Sequence, residues 1–154
     1  MRGASVRYVS AQTLGATTHP SVAQKLWLTV EICALRVSAF TLLRRHPDAR
    51  DAVDALRRRV AAPVRPDDDV ATARLIDRLS WASRAVLEQL PGDHRCLAQS
   101  LVLTALLSRR GVDSKVVIGV RKDRQGGALD AHAWVTVHGR AVSPAGDHAR
   151  LAEL

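Results

Sequence analysis

The sequence predicts an α+β domain in which helices come first and a small antiparallel sheet follows. Three observations predict it. Apolar residues recur at steps of three and four up to about residue 110, and the period changes beyond Gly111. The stretch after Gly111 then runs in short valine-rich segments separated by glycine and polar turns. Helices segregated from strands in this order indicate an antiparallel sheet covered by helices.

Residues 1–20 are mixed and turn-rich, with Gly3, Gly15 and Pro20, and read as a short strand near Val6-Arg7-Tyr8-Val9 or a loose tail. Ser21 is placed to cap a helix that runs to about Arg45. Its apolar positions Val22, Leu26, Val30, Cys33 and Val37 keep helical spacing, and His46-Pro47-Asp48 breaks it. A second helix is expected over Ala49 to Val60, and the prolines of Ala61-Ala62-Pro63-Val64-Arg65-Pro66 make a linker. Asp67-Asp68-Asp69 supply a cap and an acidic first turn for a third helix, where negative charge complements the helix dipole. Its stripe is Val70, Ala73, Ile76, Leu79, Ala82, Val86 and Leu90, and Pro91-Gly92 ends it.

The fourth helix starts near Arg95 or Cys96 and stops at Gly111, a left-handed cap after Arg109-Arg110. It is apolar on nearly all sides, so it belongs at the centre. Lys115 to Val120 reads as a strand, Asp123 to Gly127 as a loop, and Leu129 to Val137 as a second strand. His138-Gly139 is its turn, and Arg140-Ala141-Val142 a short third strand. The expected organisation is one compact domain, with a 1–20 segment, a helical part over 21–90 and a core over 91–154 holding the chemistry.

Composition narrows the function classes. With 154 residues, 47% of them hydrophobic, the chain builds a real core. Three Trp, one Tyr and one Phe leave that core to Leu, Val and Ala. The net charge of +8 comes mainly from dispersed arginines. It reads as solvated helix positions or as attraction to an acidic partner or peptide. Nucleic acid is not expected, because few aromatics lie among the basic residues to stack on bases. The N-terminus lacks the basic-then-apolar pattern of a signal peptide. The longest apolar stretch, Leu26 to Leu43, carries Glu31 and Arg36, which argues against a membrane span. A cytoplasmic protein is expected. The six histidines and two cysteines show no HxxxH or CxxC spacing, and neither a metal nor another cofactor is expected. Cys33 lies in an apolar run and reads as a small buried hydrophobe.

Cys96 and His132 carry the chemistry. A thiol is mostly protonated at neutral pH, and a helix N-terminus and a nearby imidazole both favour its thiolate. Cys96 opens the fourth helix, where unpaired backbone N–H groups stabilise a thiolate or hold a developing oxyanion. His132 lies on the following strand and shares a face with Trp134 and Thr136, while the flanking alanines leave room for the helix end. Trp134 either shields the dyad from water or is an ordinary core aromatic. Arg95 and Leu97 flank the nucleophile and, with Trp134, are the candidate oxyanion and substrate-binding positions. A third group is needed to orient the imidazole. Asp147 is the first candidate, with Asp130 and Asp93 as alternatives.

Together these residues resemble a known family. Arg95-Cys96-Leu97, Ser100-Leu101, Leu106-Leu107 and Arg109-Arg110-Gly111 look like the nucleophile helix of the transglutaminase-like leader peptidases of lasso-peptide biosynthesis. Val117-Ile118-Gly119-Val120 and Ala131-His132-Ala133-Trp134-Val135 look like its two core strands, and Gly139 and Val142 fit the turn and strand after them. The likeness covers about residues 78–147. It implies a transglutaminase-like, papain-like fold and a Cys-His-Asp protease that removes the leader from a ribosomal precursor peptide. It further implies a separate winged-helix-like leader-recognition protein, since residues 1–90 show no winged-helix pattern, and an ATP-dependent macrolactam cyclase acting next. Two positions depart from the family. Its Asp usually falls near this chain's Ser143-Pro144, so Asp147 takes that role only after a shift of a few residues. Thr136 stands where an acidic residue is common. A non-catalytic peptide-binding module of the same fold, or transglutaminase-like acyl transfer on the same dyad, are the alternative readings.

Overall fold

The computed structural model describes residues 21–46, 48–60, 62–63, 69–90, 96–122 and 129–154. Among these described residues four helices precede four strands: α1 (Val22–Arg45), α2 (Ala49–Val60), α3 (Asp69–Glu88), α4 (Cys96–Ser108), β1 (Lys115–Lys122), β2 (Leu129–Val137), β3 (Arg140–Ala141) and β4 (Ala149–Glu153). The α+β expectation holds. The 1–20 segment, Pro66, the Asp67-Asp68 cap, Pro91-Gly92, Asp93, Arg95 and the 123–127 loop lie outside the described residues.

Local chemistry accounts for the element ends. Ser21 accepts a hydrogen bond from the Gln24 amide, and the Gln24 side chain accepts one from the Ser21 amide, a reciprocal capping box. Arg44 and Arg45 occupy the last turn of α1, where the helix dipole favours cations. Gly111 takes φ +74°, and the Val112 amide folds back on the Leu107 carbonyl to close α4. His138 and Gly139 both have positive φ, as the two-residue turn of a tight hairpin demands.

Helix α4 is the hub. Every residue from Ser100 to Leu107 is buried, because α1, α2 and α3 pack around it and β2 lies along it. The sheet order is β3-β2-β1-β4, antiparallel where its strands pair. Pleating divides the β1–β2 ribbon into two rows. Val116, Ala133, Val135 and Val137 join the helical core, while Gly119, opposite His132, and Val117, opposite Trp134, share the other row.

One sequence expectation needs correction, and one element was not foreseen. The stripe Val22, Leu26, Val30, Val37 is the outward face of α1, with Trp27 and Phe40 beside it; Cys33 on the same side is half-buried with a free thiol. The packed face is Ile32, Leu35, Ala39 and Leu42. Both faces of α1 are apolar, so spacing alone could not say which one turns inward. By length and composition α1 is long and apolar enough to cross a membrane. In the fold, Glu31 ties it to Arg109 and Arg110 at the end of α4. The unforeseen element is β4. Ala149-Arg150-Leu151-Ala152-Glu153 is made of good helix formers, yet it pairs with the free edge of β1.

Candidate active site

The N-terminal end of α4 meets β2 at Cys96. Its Sγ lies 4.0 Å from the carbonyl oxygen of Ala131, the residue immediately before His132. Cys96 and His132 both line one cleft of about 450 Å³. Ser80, Trp81 and Leu87 of α3 form one wall, and Ser143 and Pro144 another. The thiol begins a helix that is buried along most of its length, so Cys96 stands on a rigid support.

The imidazole is held from several sides. Ser143 follows β3, and its hydroxyl accepts a hydrogen bond from the Val135 amide at 2.9 Å. The Val142 amide donates to the Val135 carbonyl. These two bonds carry the β2 pairing past the end of β3 and bring the next carbonyl, that of Pro144, to 2.8 Å from His132 Nε2. A carbonyl only accepts, so Nε2 carries the proton and Nδ1 of the neutral ring is the free base. The Trp134 ring stacks near the imidazole with centroids 6.2 Å apart and planes 19° apart. Trp134 is itself buried against Gly119: a Cβ there would meet the indole at 2.7 Å and the Ala149 carbonyl at 2.8 Å. Glycine is needed at 119 for space.

Asp147 is not the group on His132. Its carboxylate pairs with Arg121, which also pairs with Asp130. The Pro144 carbonyl takes the ring nitrogen instead. Arg121 holds Asp147 below the usual carboxylate range through a hydrogen bond. Asp130 is likewise lowered, first by a hydrogen bond from His148 and then by one from Arg121. Arg121 is raised in turn, by Asp147 foremost.

The other predicted positions divide. Leu97 packs partly buried against the core behind Cys96, and the Trp134 ring stacks near the imidazole. Arg95 lies outside the described residues. Sequence reading missed Trp81, which is 68% exposed and stands at the cleft. Its signal was a large aromatic set off the buried stripe of α3. It also missed the Pro144 carbonyl, which no side-chain pattern can reveal, and His148, whose ring centroid is 5.0 Å from that of His132.

A helix-borne cysteine followed by a strand-borne histidine, on four helices and an antiparallel sheet, agrees with the comparison to known families. Residues 35–154 match the family model of the transglutaminase-like superfamily. The chain belongs to the transglutaminase-like superfamily. The match spans α4 and all four strands, and includes the whole of the site. Members of this superfamily are typically cysteine proteases or acyltransferases. Neither a curated protein nor a solved structure matches the chain.

Proposed function

We propose that this transglutaminase-like protein is a cysteine peptidase that removes the leader from a ribosomally made lasso-peptide precursor. The observation that carries the reading is the shared cleft of Cys96 and His132, in which the Pro144 carbonyl takes His132 Nε2 and leaves Nδ1 as the ring nitrogen open to act as base. His132 takes the proton from Cys96, and the thiolate attacks the carbonyl at the leader–core junction. Amides of the first turn of α4 stabilise the tetrahedral oxyanion. His132 returns the proton to the leaving amine, and water then resolves the thioester. An extended substrate is supported by a second cleft of about 740 Å³, which shares Val142, Ser143 and Pro144 with the first and continues past Thr72 and Asp77.

The setting proposed is cytoplasmic. A separate winged-helix-like protein presents the leader, and an ATP-dependent cyclase closes the ring on the product. The test is incubation with the precursor peptide, with and without that recognition protein, read by mass spectrometry. Two fragments that sum to the precursor plus one water are expected. Cys96→Ala should abolish them while the circular dichroism spectrum stays unchanged. Full cleavage by Cys96→Ala would rule the mechanism out. Capture of an added amine in place of water would favour the acyl-transfer reading of the same dyad. Binding without cleavage would favour the peptide-binding module, a reading motivated by Pro144 standing where the family places its acid.

A further inference from the structure

Among the described residues, His148 is a titratable group in ring contact with His132 that this mechanism leaves unused. Its side chain is 8% exposed. Nδ1 lies 3.2 Å from the Ala145 carbonyl and Nε2 lies 3.2 Å from Asp130 Oδ2. Both oxygens belong to groups that only accept, a backbone carbonyl and an ionised carboxylate. Both contacts are satisfied together only when each ring nitrogen carries a proton. The ring then bears a positive charge, and it faces the His132 ring with centroids 5.0 Å apart and planes 30° apart.

We infer that His148 is a positioning residue of the dyad, which packs the His132 ring in place and, when both of its ring nitrogens carry protons, sets a positive charge against it. The inference rests on the cysteine–histidine reading above. Among the described residues, the charged or titratable groups on this side are Asp130 and His132 from β2, Arg121 from β1 behind Asp130, Asp147 in the preceding turn, itself bound to Arg121, and Arg150 of β4, which lies opposite Gly119 and donates to the Gly139 carbonyl. Arg121 binds both carboxylates and His148 binds Asp130, and of these two partners His148 is the one in ring contact with His132. The backbone is shaped for this placement. Gly146 takes φ +61°, and a Cβ there would lie 2.9 Å from His148 Nδ1. The same turn therefore offers the Pro144 carbonyl to His132 and the Ala145 carbonyl to His148.

A nearby cation favours loss of the first proton from the coupled Cys96–His132 pair, whichever of the two releases it. Removing it should move the acid limb of thiol reactivity to higher pH. The experiment measures the rate of Cys96 alkylation by iodoacetamide between pH 5 and pH 9, in a Cys33→Ser background so that one thiol reports. His148→Phe keeps an aromatic ring without charge, and His148→Gln keeps hydrogen bonding without charge and serves if the first variant fails to fold. In both, the rate relative to the parent should fall several-fold at pH 5.5 and by much less at pH 8.5. An equal loss at every pH, or no change, overturns the inference and leaves a packing role only. A parent thiol no more reactive than a free cysteine overturns the dyad reading itself, and so separates the two failures.

Discussion

The site depends on backbone atoms as much as on side chains. His132 is oriented by a peptide carbonyl, and Gly119 matters for what it lacks. A methyl group at 119 would press on the Trp134 ring and on the β4 backbone, so one of the two must move. Overpacking of this kind costs about 2 kcal/mol. Gly119→Ala should lower the urea midpoint correspondingly, and reduce cleavage several-fold because Trp134 supports His132. Unchanged activity in a destabilised variant would detach the indole from the chemistry. Cys96 and His132 were legible as residues because a thiol at a helix start and an imidazole on a strand are a recognisable pair. The orienting group was not, because a carbonyl's position depends on the fold around residues 142–144.

At the scale of elements, α1 shows how far periodicity reaches. Apolar residues at steps of three and four predicted a helix, and Val22–Arg45 is one. They did not say which apolar face packs inward. Leu35 is 3% exposed and Val30 is 60% exposed, although the sequence marks both as apolar positions of one helix. Leu35→Ala should therefore cost about 3 kcal/mol through lost burial and a residual cavity. Val30→Gln should stay within about 0.5 kcal/mol of the parent, as surface substitutions do. Paired denaturant titrations of the two variants test this, and equal losses would contradict the packing of α1. Strand β4 fails in the opposite way: its residues favour a helix, and only the unpaired edge of β1 makes them a strand.

At the scale of the molecule, long-range ties join the helices to the sheet. Arg57 of α2 donates to the Ser114 and Leu154 carbonyls, bracketing the start of β1 and the residue after β4. Glu31 is the corresponding tie between α1 and α4. Burial raises its carboxyl, but hydrogen bonds and charges from Arg110 and Arg109 outweigh this and hold it below its ordinary value of 4.5. A carboxyl lowered in the folded state contributes its stability above the unfolded value and loses it as pH falls through the folded one. Glu31→Gln should thus cost about 2 kcal/mol at pH 7, since it leaves two arginines facing a neutral amide across a mostly buried contact. The gap between variant and parent should narrow as pH falls below 4.5. Denaturation curves at pH 7 and pH 3.5 check both statements, and a constant gap would remove Glu31 from the pH dependence.

The sequence by itself determined the helices, the hairpin and its turn, the helix-before-sheet order and the choice of Cys96 and His132, which line one cleft. Each of these follows from local spacing, capping and backbone preference, which neighbouring residues carry among themselves. The tertiary structure decided the inward face of α1, the strand at residues 149–153, the partner of Asp147 and the carbonyl that orients His132. Those depend on which surfaces and edges remain free once the other elements have packed, and that information is distributed over the whole chain.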